Sequence, residues 1–578
     1  MKARPPSVPE TPEALMGQAV ALLNAKRPGD ARQLLNAALA CFPDHGPLCN
    51  LAGECAATVA ELAEAETFFR RALAAAPHSA RIHFNLARLY ARSARAAEAE
   101  GHYRRAAALA PHNAATHACL GLLLNAGGRP AEAERCHRRA VVISPRNAAV
   151  MANLAEALAA QQRWDEAEAQ YRRAAELDPR QARLTNLGNL LARQSRFEEA
   201  QRVLSHAVVL APDDALAHFN YGVLLQDLDR EEDAQDRYRR VLALDPGHAL
   251  ARNNLAYLLL RNGHYEEGWR MNEVRYSPDL PPERRFPMTP AFPFPQWQGE
   301  ALQGRSLLLW PEQGLGDEIQ FCRYLPLLKG LGVTRLTVVC QTPLKALLET
   351  MDGIDELIAA NEFNGRVAPH DYWCYPLSLP LCFDTTLRAI PDRLPYLRVP
   401  PERSVRWKTR LPDAGLRVGL VWKGSAQHRN DARRSLALDT LAPLWSVPGV
   451  RFISLQKGCD EELAMHPPAG QPLLALGHEF NDLADTAAVI DQLDLVICVD
   501  TSVAHLTGAL GKPCWVMLQD RQCDWRWLRG RSDSPWYPRV MHLFQQGCDG
   551  DWRPVIGRVA QALSKLTAGL ETKGGRGQ

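Results

Sequence analysis

The sequence predicts an all-α superhelix followed by an α/β unit made of two Rossmann-like halves. Three observations carry this. Prolines recur at a nearly constant interval through the first 250 residues, a proline-dense stretch follows, and beyond Gly304 short apolar runs alternate with helical patterns. A chain of 578 residues has room for several domains. Hydrophobic residues at 46% and charged ones at 23% are the balance of a globular protein. A formal charge of +2 supplies no overall attraction to nucleic acid or anionic membrane, so neither is expected as a partner.

The N-terminal MKARPPSVPETPEALMGQ lacks the apolar core of a signal peptide, and no apolar run approaches membrane-spanning length. The fourteen cysteines form no CxxC pair and no zinc spacing, as reduced thiols would. A cytoplasmic protein without a transmembrane segment and without a bound metal is the expectation.

Pro43, Pro77, Pro111, Pro145, Pro179, Pro212 and Pro246 stand 34, 34, 34, 34, 33 and 34 residues apart. Upstream of them, small and aromatic residues recur in register: Ala65, Phe69 and Ala72, then Ala99, Tyr103 and Ala106, then Ala167, Tyr171 and Ala174. Small residues let paired helices approach, the aromatic fills the groove between them, and proline ends the second helix. Period, spacing and chemistry together resemble tetratricopeptide repeats over residues 12–270. A second series, Asn85, Asn153, Asn186, Asn220 and Asn254, falls in the first helix of five units. In such repeats the first helix lines the concave groove. Asn153, Asn186 and Asn220 are therefore candidate acceptor contacts, since an amide both donates and accepts. The alternative is that each asparagine bonds a neighbouring turn of its own helix.

The stretch SPDLPPERRFPMTPAFPFP places Pro278, Pro281, Pro282, Pro287, Pro290, Pro293 and Pro295 within a linker, residues 271–303. That density leaves no packed helix, so the linker is expected to run extended and end at an anchor, Trp297. Next, RSLLLW and TRLTVVC read as strands and GDEIQFCRYLPLLKGLG and PLKALLETM as helices. The order returns after residue 415 with RVGLVW, RFISLQ and the helix DTAAVIDQL. Residues 304–400 and 415–567 thus form two Rossmann-like halves, with a hinge near 398–415 and a cleft between them. A last helical segment, Val555 to Leu570, is expected to fold back over the first half.

Three loops at strand ends concentrate chemistry. In WPEQGLGDEIQ, Gly314 and Gly316 allow close backbone approach and Asp317 opens a helix; it is either a reactive carboxylate or a helix-start residue favoured by the dipole. In VWKGSAQHRNDARRS, Lys423, His428, Arg429, Arg433 and Arg434 crowd one loop, as neutralising a diphosphate requires. In LVICVDTSVAHLTGALGKP, a β-branched strand meets Asp500, Thr501 and Ser502 and becomes a helix with His505 in its first turn. Free N–H groups at such a helix start bind anions. His505 either donates to a phosphate or is bonded inside its own turn. Gln456, ending RFISLQ, is placed near a nucleotide by its strand-end position.

These residues carry a second resemblance. LVICVDTSVAHLTGALGKP is similar to the nucleotide-sugar motif of glycosyltransferase family 9, the bacterial heptosyltransferases, and GLGDEIQF to that family's glycine–aspartate loop. DWRWLRGRSDSPWYP and DLADTAAVIDQLD resemble the subgroup in which this domain follows tetratricopeptide repeats. Ser502 stands where many members carry glycine, and Arg434 takes the place of a lysine. The resemblance covers residues 304–567. It implies a GT-B fold, inverting metal-independent transfer and no cofactor beyond a nucleoside diphosphate sugar as donor. It makes Asp317 the general base and puts Asp500, Thr501, Ser502 and His505 on the donor. Lys423, Arg434 and the helix start at Thr501 then stabilise the leaving diphosphate. The acceptor, a protein or saccharide, would be presented by the array, whose groove also offers a protein-partner site. Two alternatives stand beside this: a protein glycosyltransferase like the tetratricopeptide-linked O-GlcNAc transferases, whose catalytic motifs are not found here, and a non-catalytic repeat scaffold.

Overall fold

The computed structural model describes residues 11–284, 291–363, 365–426, 430–521 and 523–574. Pro287 and Pro290 of the linker and His428 and Arg429 of the basic loop lie outside the described residues. The chain forms two compact units, residues 1–228 and 229–578. Among the described residues no helix is long and apolar enough to cross a membrane.

The first unit is a helical array from Pro12 to Asp227 whose helices alternate between 13 and 14 residues. Each recurring proline falls two residues past a second helix, as Pro77 does after Leu62–Ala75 and Pro111 after Ala96–Leu109. The turn inside each pair repeats as well. Lys26, Ala60, Ala94, Gly128, Gln162 and Ser195 all adopt the left-handed conformation, with φ between 56° and 71°. Between paired helices the expected small-to-large fit is present. Added Cβ atoms at Gly53, Gly121 and Gly188 would come within 2.6 Å of Phe69 and 2.5 Å of His137 and Leu204. His137 fills the slot that Phe69, Tyr103 and Tyr171 fill elsewhere, and burial lowers its pKa to about 4, so it sits there neutral.

The second unit opens with helices Glu231–Leu244, Ala249–Arg261 and Tyr265–Asn272. The compact boundary therefore falls inside the predicted array rather than at its end. The reason is aromatic: Tyr265 and Trp269 are buried, Trp269 meets Trp525 edge-on at 5.2 Å, and Trp536 Nε1 donates to the Tyr265 hydroxyl at 2.9 Å. The linker is not a free extended spacer either. A 3-10 turn, Glu273–Tyr276, buries Arg275, which donates to Glu312 (Nε, 2.7 Å) and to Ser378 Oγ (2.8 Å). Leu280 is fully buried. Trp297 is the anchor the sequence suggests, buried and donating from its backbone to Trp373 O at 2.7 Å.

Ten parallel strands among the described residues make two sheets. β1 (Ser306–Leu309), β2 (Arg335–Cys340), β3 (Glu356–Ala359) and β4 (Tyr372–Cys374) form the first, ordered β3-β2-β1-β4, with Leu307 opposite Leu336 and Tyr372. β5 (Leu416–Val421), β6 (Val450–Ser454), β7 (Leu473–Ala475), β8 (Leu495–Val499), β9 (Cys514–Leu518) and β10 (Met541–Gln545) form the second. Its order is β10-β9-β8-β5-β6-β7. Counted within that half, this is the 3-2-1-4-5-6 order of dinucleotide-binding folds, whose ligands sit at the carboxyl ends of the strands where the order reverses. The hinge segment holds a helix, Pro401–Lys408, fixed by Trp407 Nε1 donating to Asp485 at 2.8 Å. The last helix, Arg553–Gly574, stays with the second half instead of crossing to the first. Its stripe Val555, Ile556, Val559 and Leu563 is fully buried among Val418, Leu420, Leu444 and Phe544.

Candidate functional site

Two helix starts meet at the carboxyl ends of β1 and β8. The loop after β1 leads into helix Leu315–Phe321, and the loop after β8 into helix Ser502–Ala509. Gly316 makes the approach possible: a Cβ there would lie 2.8 Å from His505 Cδ2 and 3.5 Å from Ser502 Cα. The helix at Ser502 has Thr501 as an extended N-cap whose side chain makes no capping bond. The Ala504 amide turns back to the Thr501 carbonyl at 3.0 Å, while the Ser502 and Val503 amides at the very start have no residue one turn earlier in the helix to bond.

Asp317 occupies the third position of its helix. Oδ2 accepts from the Gly314 amide at 2.8 Å, which is the capping role the sequence left open, and Oδ1 is ion-paired with Arg526. Burial pushes its carboxyl above the ordinary range while Arg526 pulls it down. Arg526 itself is buried. Its Nε donates to Gln320 Oε1 at 2.7 Å, and its Nη1 donates to both oxygens of Asp524 at 3.0 Å. The guanidinium also lies over the Trp525 ring, 4.3 Å from its centre. Asp500 completes the group. Burial first, then the Asp524 charge, raises its carboxyl to about 7, against the pull of Trp527, Arg434 and Arg526.

The other predicted donor residues divide. Arg434 is brought to the site: Nη1 donates to the Asp500 carbonyl at 3.0 Å, and the group lies so close to Gly424 that a Cβ there would meet it at 2.4 Å. Lys423 is ion-paired with Asp460, Nζ to Oδ1 at 2.8 Å. Gln456 clamps the backbone at the end of β5. Its Oε1 accepts from the Trp422 and Lys423 amides at 3.1 Å, and its Nε2 donates to Lys423 O at 3.1 Å. His505 is bonded outside its own helix, Nδ1 to Tyr537 OH at 2.8 Å, and stacks on Trp527 at 5.2 Å. Burial lowers its pKa to about 3, so the ring is neutral and only Nε2, on the Gly316 side, is left to face a ligand.

The stretch from Cys523 to Tyr537 supplies most of what sequence reasoning missed. It brings Arg526, paired with Asp524, to Asp317 and sets Trp527 and Tyr537 against His505, and its back is held by the last repeat helices. Tyr257 OH donates to Cys523 O at 2.6 Å, and the Arg529 amide donates to Arg261 O at 3.2 Å. Arg323 fixes the other side, donating to Trp536 O at 2.6 Å and Tyr396 OH at 3.0 Å. Its signal in the sequence is the alternation of tryptophan and arginine in DWRWLRGR, which pattern reading treats only as a family marker.

Tetratricopeptide-repeat models match residues 2–45, 56–114, 124–191, 185–234 and 238–270. The array consists of tetratricopeptide repeats. Protein FlbA of Caulobacter vibrioides is 33% identical over 340 residues, 54% of this chain and 54% of FlbA, so the chain spans about half the length of that relative. A tetratricopeptide repeat protein from Parabacteroides merdae aligns at 16% identity and TM-score 0.38 over 43% of this chain and 98% of its own. The Cut9–Hcn1 structure aligns at 17% and 0.37, covering 43% and 50%, and YrrB at 22% and 0.26, covering 32% and 95%.

Within the tetratricopeptide repeats the asparagine series is not uniform. Asn220 donates to Leu216 O of its own helix at 2.8 Å and accepts from Asn189 at 3.0 Å, which is the local alternative. Asn85 is buried against Asn50 and Glu54 at 2.9 and 2.8 Å. Asn254 links Tyr238 to Arg284. Asn186 is exposed, and Asn153 lines a hollow of about 960 Å³ together with Asn113, Asn147 and Cys119.

Proposed function

We propose that this chain is a glycosyltransferase of GT-B architecture, similar to family 9, that moves a sugar from a nucleoside diphosphate sugar to an acceptor hydroxyl. The observation that carries the reading is the meeting of two helix starts across Gly316, with Asp317 on one and the Asp500–Ser502 turn on the other. In a sheet of this strand order, that place is where a nucleotide's phosphates belong. Thr501, Ser502 and the following amides face the diphosphate, Asp500 holds sugar hydroxyls, and Arg434 steadies the turn through the Asp500 carbonyl. Asp317 takes the acceptor's hydroxyl proton as that oxygen bonds to C1. The C1–O bond to the phosphate breaks with its electron pair on the diphosphate, and the configuration at C1 inverts.

The repeats serve as the acceptor's platform. Tetratricopeptide arrays present long surfaces to protein partners, and the hollow at Asn153 and the exposure of Asn186 support these two as the acceptor contacts. A thermal-shift screen with UDP-, GDP-, ADP- and CDP-sugars tests the donor half of the proposal. A bound donor raises Tm by mass action. No shift with any of them supports the scaffold alternative instead.

A further inference from the structure

We propose that Arg526 is a switchable positioning residue: a diphosphate seated at the start of helix Ser502–Ala509 draws its guanidinium away from Asp317, which is thereby released to take the acceptor's proton. This rests on the glycosyltransferase reading above. It concerns a residue that neither the repeat pattern nor the glycine–aspartate motif points to.

Three observations carry it. First, one buried guanidinium is shared among several carboxylates. Arg526 donates to Asp317, to both oxygens of Asp524 and to Gln320, and Asp500 also feels its charge. The Asp524 and Gln320 arms fix the base of the fork, so the Asp317 arm is the one that can be exchanged. Second, Asp317 follows Gly316, whose added Cβ would lie 3.5 Å from Ser502 Cα. A diphosphate on the Ser502 amides therefore arrives beside the Arg526–Asp317 pair. Third, the buried polar atoms around this pair that lack a partner can all donate. They are Gln320 Nε2 and Thr501 Oγ1, with Gln320 fully buried. An amide NH₂ can only donate and a hydroxyl can donate, so an acceptor-rich group complements them. The Trp527 indole is directed to the Asp500 carboxylate, whose ionised form it favours.

A phosphate group offers Arg526 a bidentate, more highly charged partner than a single carboxylate oxygen. Once the guanidinium turns to it, Asp317 keeps only the Gly314 amide on Oδ2, and Oδ1 faces the acceptor. The device orders the substrates: the proton acceptor is uncovered only when the leaving group is in place.

Calorimetric titration of the full chain with UDP, GDP, ADP and CDP tests this. Arg526→Met should weaken the best of them about tenfold or more, as loss of a buried charge partner does. Asp317→Asn, which removes the competing charge, should tighten it by about threefold or more. In the Asp317→Asn/Arg526→Met double variant the tightening should vanish. Arg526→Lys keeps the charge without the fork and serves if the methionine variant does not fold; Asp317→Asn alone still decides the competition. A diphosphate bound equally well by wild type and Asp317→Asn overturns the switch and leaves the glycosyltransferase reading standing. Failure of all four to bind overturns both.

Discussion

Asp317 and Asp500 stand at the two helix starts under different constraints. Asp317 has a cation on one oxygen and an amide on the other, whereas Asp500 is crowded by Asp524. For Asp317 the expected outcome is chemical. Asp317→Asn still binds donor, more tightly than wild type if Arg526 is freed as proposed, and keeps the cap on Gly314, but lowers turnover by roughly 10²–10⁴, the range for a lost general base. Comparing kcat with donor affinity checks this, and normal kcat removes Asp317 from the reaction. For Asp500 the outcome is a pH dependence of stability. Its carboxyl is raised to about 7, so between the ordinary carboxylate range and pH 7 the native state holds a proton that the unfolded chain has lost. Stability from this site therefore falls as pH rises through that window and stays low above it. Asp500→Asn should raise Tm relative to wild type at pH 8, and the gain should shrink at pH 5, where wild-type Asp500 is already neutral. A difference independent of pH would mean that Asp500 ionises normally.

At the scale of elements, the approach of the two helix starts is a backbone matter, and Gly316 carries it. Gly316→Ala would set a methyl 2.8 Å from His505 Cδ2, on a ring that Trp527 and Tyr537 hold in place, so the loop must retreat. Displacement of reacting groups by about 1 Å can cost 10²-fold in rate. A comparable fall in turnover with little change in Tm is expected; unchanged turnover would show that the approach is incidental. In the repeats, Asn153→Ala with Asn186→Ala should weaken transfer to a macromolecular acceptor. Asn220→Ala should instead cost stability, about 0.5–1.5 kcal/mol, for its local bonds. Equal effects on transfer would restore a continuous ladder. The repeat helices were legible in the sequence because a 34-residue spacing records a packing requirement, small residue against large, at every turn. Strands β1, β2, β5, β6 and β8 were legible as short apolar runs, β-branched in all but β1. The short β3, β4 and β7 and the flanking β9 and β10 have three to five residues each and no bounding pattern that separates them from buried loop. Gln456 and Lys423 show the limit for side chains: strand-end position predicted where they begin, but Gln456 bonds to backbone and Lys423 to Asp460, contacts between segments distant in sequence. Arg526 was hidden for the same reason, since its partners lie about 200 residues upstream.

For the whole molecule, the last repeat helices are part of the second unit and hold the back of the loop that carries Arg526. A chain beginning at Asp229 should therefore keep the melting transition of that unit and bind donor. One beginning at Gly304 loses Tyr257, Tyr265 and Trp269 from around Trp525 and Trp536. Deleting a buried tryptophan alone costs about 3–5 kcal/mol, so the shorter chain should lose cooperative folding and donor binding together. Equal melting by circular dichroism of both chains would make the aromatic contacts dispensable. The central claim, that the cleft transfers sugar from a nucleotide, meets its most direct test in turnover of the full-length protein with a panel of nucleotide sugars, reading release of free nucleoside diphosphate. The account predicts release from one donor class, lowered by roughly 10²–10⁴ in Asp317→Asn while that donor still raises Tm. Release from none of them, with no donor raising Tm, would contradict it and leave a tetratricopeptide scaffold.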